Sequence, residues 1–164
     1  MVLPMVPVRS VKLSMGSEIR LVDLVHEASH KLAEIVGFDE DGAMNVALAV
    51  REAVINAITH GNHKDPERTV ELTWTANGSG MVVRIRDEGE GFDPALARDP
   101  TSAENLLRTS GRGLLLIRAF VDEVKFRRRR GRGMEVTLVK RNPPAPAVVA
   151  ETIQPAGRKQ GGTR

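Results

Sequence analysis

The chain contains no cysteine and no tyrosine, and only one tryptophan, Trp74, among its 164 residues. Without thiols it can form neither disulfides nor thiolate metal sites. With so few aromatic rings it lacks the platforms on which single-stranded nucleic acids stack. No apolar run approaches the length of a membrane span. The opening Met1-Val-Leu-Pro-Met-Val-Pro7 is too short and too proline-broken for the apolar core of a secretory signal, so a cytoplasmic location is expected. Excess charge is also scarce. The net charge is +3, of which +2 falls in the stretch from Asn142 onward (Arg158, Lys159 and Arg164 against Glu151), leaving +1 for the body. A body so close to neutral is unsuited to wrapping nucleic acid, and direct nucleic-acid binding is not expected.

What is present fits one domain with a substantial core. Val8 to Ser14 reads as a short strand, broken at Gly16, with Ser17 placed to cap a helix. Ile19, Leu21, Val22, Leu24, Val25, Ala28, Leu32, Ala33 and Val36 then recur at helical spacing, up to Gly37 as a left-handed cap residue. Asp39 or Asp41 starts a second helix. Its most apolar side carries Met44, Ala47, Leu48, Ile55 and Ile58, and it stops near His60-Gly61-Asn62. Residues 69–76 and 81–86 alternate, with Val70, Leu72 and Trp74 on one face of the first and Val83 and Ile85 on one face of the second. Asn77-Gly-Ser-Gly80 between them is a hairpin turn. Residues 93–109, anchored only by Leu106 and Leu107, read as a mobile lid. Gly113 opens a last helix that runs to Phe120. Strands 123–128 and 134–140 follow, joined by an arginine- and glycine-rich hairpin. The domain is read as 1–141. Residues 142–164, rich in proline, alanine, glycine and charge, are read as a disordered tail. Paired strands with helices between them predict an α+β fold: a mostly antiparallel sheet with helices packed on one face.

Three stretches carry chemistry. Glu52 and Asn56 are four residues apart on the second helix, so a carboxylate and a carboxamide share one helix face, flanking the apolar stripe. A carboxylate can take a proton from a nucleophile, and a carboxamide oxygen can ligate a hard cation such as Mg²⁺. Asp87-Glu-Gly89-Glu-Gly91-Phe92 and Ser110-Gly111-Arg112-Gly113 are glycine loops that let backbone approach a nucleotide. Each stretch alone is common in unrelated proteins; the combination, in this order, is not.

In that combination the chain resembles the GHKL (histidine-kinase-like) ATPase superfamily, which includes gyrase, histidine kinases and mismatch-repair ATPases. Glu52-x-x-x-Asn56 looks like its N box, Asp87-x-Gly89-x-Gly91 like its first glycine box, and Gly111-x-Gly113 like its second. The run Glu-Ala-Val-x-Asn-Ala-Ile-x-His-Gly at 52–61 is most similar to the bacterial anti-sigma-factor serine/threonine kinases. The resemblance spans about residues 8–141. It implies a two-layer α/β sandwich of the Bergerat type with a mostly antiparallel mixed sheet. It also implies ATP and Mg²⁺ as cofactors and a kinase that binds a sigma factor and phosphorylates an anti-sigma-factor antagonist. A homodimer is implied as well. In proteins of this kind the residue matching Asp87 accepts from the adenine amino group. Gly89, Gly91 and Phe92 would border the base and sugar, and Gly111, Arg112 and Gly113 the phosphates. Asn56 would hold Mg²⁺, and Glu52 would be the general base. Arg20 falls where similar kinases touch both partners. The family often places a threonine after the glycine near the last strand, to support the aspartate; here Gly133 is followed by Met134, and Thr137 comes three residues later. The short lid favours the kinase subgroup, and no phospho-accepting histidine domain is seen ahead of the ATPase-like unit.

Other residues admit plainer readings. Arg112 and Arg20 can equally point into solvent. His60 suits a helix C-terminus, where a cation meets the last carbonyls. His26 and His30 share a helix face, but no third ligand is in view. Arg127 to Arg130 alternate faces in a hairpin, which splits the cluster. A non-catalytic module, in which nucleotide only gates a protein contact, is the alternative function.

Overall fold

The computed structural model of the chain describes residues 10–90 and 109–142, with backbone alone at 109–111. Gly91, Phe92, most of the expected lid and nearly all of the expected tail lie outside the described residues.

Five strands form one sheet in the order β1-β2-β3-β5-β4: β1 Val11–Gly16, β2 Thr69–Asn77, β3 Gly80–Arg86, β4 Glu123–Arg128 and β5 Met134–Arg141. Among the described residues every pairing is antiparallel. The described residues also form three α-helices: α1 Val22–Ile35, α2 Glu40–Asn56 and α3 Thr109–Phe120. Among the described residues no helix is long and apolar enough to cross a membrane.

The period of two along the strands decides which side chains meet the helices. Val70, Leu72 and Trp74 of β2 and Met81, Val83 and Ile85 of β3 are all buried, as the alternation predicts. Register pairs Leu72 with Ile85 and Trp74 with Val83, so the two apolar rows form one surface. Asp87, two residues past Ile85, continues the same parity and is also buried.

Packed between α1 and α3, α2 is the central helix. It therefore buries more of its circumference than a helix at the edge. Its buried residues are Gly42, Ala43, Val46, Ala47, Ala49, Val50, Ala53 and Val54, a small-residue surface that lets both neighbours come close. This corrects the stripe read from the sequence, in which Met44 faced the core: Met44 is exposed. Asp39 is the residue that caps α2, accepting from the Gly42 amide at 2.8 Å. At the other end α2 leaves its α-helical path after Asn56 and makes a wide π-type turn over Ala57–Gly61. That turn closes with the Asn62 amide donating to the Ala57 carbonyl at 2.7 Å.

Ser17 does not cap α1. It is buried, and its hydroxyl donates to the Arg68 carbonyl at 2.8 Å. A short 3₁₀ turn, Ile19–Leu21, leads into α1 instead. Tertiary bonding between β1 and the start of β2 outcompetes the local cap at this position.

One buried polar relay ties α1 to the sheet. The Trp74 indole N–H donates to the Ser29 hydroxyl at 3.1 Å, and that hydroxyl donates to the Val25 carbonyl at 2.7 Å. Ser29→Ala leaves the indole N–H buried and unpaired, which costs about 1–3 kcal/mol. Because Trp74 is the only tryptophan, its fluorescence reports unfolding directly. The expected result in urea is a lower midpoint with an unchanged slope.

Candidate functional site

The last turns of α2, the loop after β3, the first turns of α3 and the β4–β5 hairpin converge at one end of the molecule. At the centre is Asp87. Its Oδ1 accepts from two backbone amides, Gly89 at 2.9 Å and Met134 at 3.1 Å. Its own amide donates to the Met134 carbonyl at 3.0 Å. The missing threonine after Gly133 is thereby accounted for: a main-chain N–H of residue 134 supports the carboxylate, and this needs no hydroxyl. Thr137 lies further along β5, opposite Arg84 and Lys125. Among the described residues Oδ2 has no donor, which leaves one carboxylate oxygen for an outside group. Burial raises the Asp87 pKa above the ordinary 3.8, against the lowering effects of the Gly89 and Met134 amides and of Arg129 and Arg68.

Glycines wall this carboxylate because nothing larger fits. A Cβ on Gly61 would stand 2.6 Å from Asp87 Oδ2, and one on Gly89 would stand 1.9 Å from the Gly61 carbonyl oxygen. Gly89 thus lets the loop close onto the end of α2, a role inside the protein beyond the approach to a nucleotide read from the sequence. Gly133, at φ +94°, would place a Cβ 1.9 Å from the Asp87 carbonyl oxygen.

Asn62, which sequence reasoning passed over as a helix stop, locks the same loop. It is fully buried. Its carboxamide donates to Ser17 Oγ at 2.8 Å and the Thr69 carbonyl at 2.9 Å, and accepts from the Glu88 amide at 2.8 Å. Glu88 in turn accepts from the Thr69 amide at 2.6 Å, which lowers its pKa. A lone asparagine after a helix-ending glycine was the only signal.

Further along the same helix lie Glu52 and Asn56, both half-buried. They face α3: a Cβ on Gly113 would stand 3.4 Å from Glu52 Oε2 and 3.4 Å from both carboxamide atoms of Asn56. The gap left by this glycine is a small cradle lined by a carboxylate and a neutral oxygen donor. That donor set suits a hard cation shared with phosphate oxygens and water. The Arg51 guanidinium lies 3.5 Å from Glu52 Oε1 and 4.0 Å from Asp23.

Where the sequence placed the start of the last helix at Gly113, α3 begins at Thr109. Gly111 and Gly113 therefore lie inside the helix, not in a loop ahead of it. Glycine costs about 1 kcal/mol relative to alanine in a helix, and packing against α2 offsets this. Gly111 falls in the first turn of the described helix and Gly113 in the second. Arg112 is exposed, as is Arg20, whose Nε pairs with Glu18 in the 3₁₀ turn far from Asp87 in the chain. His60 is exposed. His30 does meet other candidate ligands, Glu34 and Glu40, within 4.8 Å of one another, across a corner the sequence did not reveal; Lys31 already occupies Glu34 at 2.8 Å.

Chemically, then, the buried acceptor Asp87 lies in a loop against the wide turn that ends α2, and α2 carries a carboxylate–carboxamide pair on its flank. The first turn of the neighbouring helix carries Gly111. Residues 17–140 match the model of the histidine kinase-like ATPase domain. An anti-sigma F factor of Anoxybacillus flavithermus is 33% identical over 102 residues, 61% of this chain and 70% of that protein. A serine-protein kinase RsbW of Oceanobacillus iheyensis is 27% identical over 106 residues, 61% of this chain and 67% of its own. A crystal structure of the RsbU and RsbW domains of a Mycobacterium tuberculosis protein superposes with a TM-score of 0.55 at 20% identity. It covers 80% of this chain but only 31% of that one, and it supports the fold alone.

Asp87→Asn tests the electrostatics. The folded pKa is raised, so ionised Asp87 destabilises the fold above that pKa and the penalty fades as pH falls through it. The asparagine variant should melt higher than the parent at pH 7.5, with the gap narrowing toward pH 4. Differential scanning calorimetry across that range checks the sign.

Proposed function

Since this chain belongs to the histidine kinase-like ATPase domain family, we propose that it is an ATP-dependent protein serine/threonine kinase that acts as an anti-sigma factor. It would hold a sigma factor in the cytoplasm as a homodimer and phosphorylate an antagonist protein on Ser or Thr. The observation that carries the reading is the position of Gly113 against both Glu52 and Asn56, on the same helix whose end walls Asp87.

In this mechanism the adenine amino group donates to the free Oδ2 of Asp87. An ionised carboxylate only accepts, so guanine, with a carbonyl at that edge, is rejected. The phosphates would lie between the Asp87 end and Glu52, along the stretch formed by α2 and its final wide turn. The start of α3, with Gly111 and Arg112, would face those phosphates with the positive end of the helix dipole. Asn56 Oδ1 would hold Mg²⁺, which when bound neutralises charge on the phosphate oxygens. Glu52 takes the proton from the partner's hydroxyl as that oxygen bonds to the γ-phosphorus and the bond to the bridging oxygen breaks, releasing ADP. Arg20, exposed on its turn, is assigned to partner contact.

One observation favours a second reading, a nucleotide-gated binding module without transfer. The guanidinium of Arg51 is close enough to Glu52 to hold its carboxylate away from a substrate proton.

Incubation with radiolabelled ATP, Mg²⁺ and an antagonist protein separates the two. Transfer is expected, and Glu52→Gln should reduce it by on the order of 10²–10⁴-fold while ATP still binds. Equal labelling by the variant removes Glu52 from the base role. ATP binding with no transfer by the parent protein supports the module.

A further inference from the structure

We infer that the β4–β5 hairpin clamps the loop bearing Asp87, with Arg129 as its principal positioning residue. The inference rests on the nucleotide reading above. Arg129 Nη1 donates to the Asp87 carbonyl at 2.9 Å, and Arg128 Nη2 donates to the Glu90 carbonyl at 2.7 Å. The two carbonyls lie at the two ends of the four-residue segment 87–90, so neighbouring arginines grip both ends. The backbone of Arg129 is itself fixed, its amide donating to the Gly133 carbonyl at 3.0 Å across the hairpin. Arg127 takes no part; it pairs with Glu135 at 2.9 Å, and Glu135 also holds Arg86.

The grip is specific in geometry. Gly133 has no side chain where it crosses the Asp87 carbonyl, and this close approach brings both the Met134 amide and the Arg129 guanidinium into reach. From the opposite side Asn62 holds the Glu88 amide. The loop is therefore pinned between helix end and hairpin, and the direction of Asp87 Oδ2 depends on both. A charge-assisted bond from guanidinium to carbonyl is stronger than a neutral one. Reading the arginines as a cluster split between two hairpin faces misses it, because the acceptors are main-chain atoms some forty residues away.

Arg129 touches no reacting atom in this account. It acts through Asp87, so its loss should weaken nucleotide binding and leave chemistry at saturating ATP unchanged. The test uses the full chain and the variants Arg129→Ala, Arg129→Lys, Arg128→Ala and Arg130→Ala. ATP affinity is measured by calorimetry with Mg²⁺, and amide hydrogen exchange at Glu88–Glu90 is measured without nucleotide. Arg129→Ala should bind ATP on the order of ten-fold more weakly and exchange faster at those amides, while α1 exchanges as before. Arg129→Lys, with charge but no fork, should fall between. Arg130→Ala removes the same charge from an exposed neighbour and should match the parent in both. Unchanged exchange and affinity in Arg129→Ala overturn the clamp. So does an equal loss in Arg130→Ala, which would make the effect one of net charge. If Arg129→Ala does not fold, Arg129→Lys and Arg128→Ala decide by the same two readouts. If the parent itself binds no ATP, the nucleotide reading fails, and the exchange data alone judge the clamp.

Discussion

A carboxylate withdrawn from water needs donors, and Asp87 finds them in the main chain of two different elements. Gly89 of its own loop and Met134 at the start of β5 both donate to Oδ1. The bonds offset only part of the desolvation, since the group still titrates above its ordinary range. The sites of Gly61, Gly89 and Gly133 follow from this one placement. Each marks a point where another backbone must come within about one atomic diameter of the loop, and any side chain would collide. Asn62 answers the same need for the peptide that follows, using donor and acceptor ends at once.

The fold delivers Asp87 to that position by simple periodicity. Met81, Val83 and Ile85 point to the helices, and the residue two further on must do the same. Antiparallel pairing of β3 with β5 then brings Met134 beside it, through the register Arg86 with Glu135. The helix that covers this part of the sheet is α2, built of small residues so that α1 and α3 can approach from either side. Its final wide turn carries Gly61 to the aspartate, while Glu52 and Asn56 remain on the flank that α3 approaches. A polar site thus assembles at the margin of an apolar layer, without a charge being driven through the core.

Much of this was legible before any coordinates. Alternation in residues 69–76 and 81–86 marks the faces of β2 and β3; of the two candidate caps Asp39 and Asp41 the structure selects Asp39, and the stop expected near His60-Gly61-Asn62 falls at the end of the wide turn after α2. What failed did so for tertiary reasons. Ser17 has the chemistry of a cap but is bonded to Arg68 and Asn62, neither of which is a sequence neighbour. Met44 matches the helical period but faces outward, because the neighbours on both sides of α2 decide which arc is buried. Gly113 reads from the sequence as the start of the last helix, yet it lies inside α3 and faces Glu52 and Asn56. Alternation splits the hairpin arginines between two faces, but it does not show that the partners of Arg128 and Arg129 are carbonyl oxygens of the Asp87 loop.

The central claim is that a single free oxygen on Asp87, held in place by backbone, reads an adenine ring. Parallel calorimetric titrations of the unmodified protein with Mg-ATP and Mg-GTP test it most directly. The account predicts saturable binding of ATP with a preference over GTP of at least about ten-fold, the worth of one lost buried hydrogen bond. Equal affinity for the two nucleotides, or no heat with ATP, would contradict it.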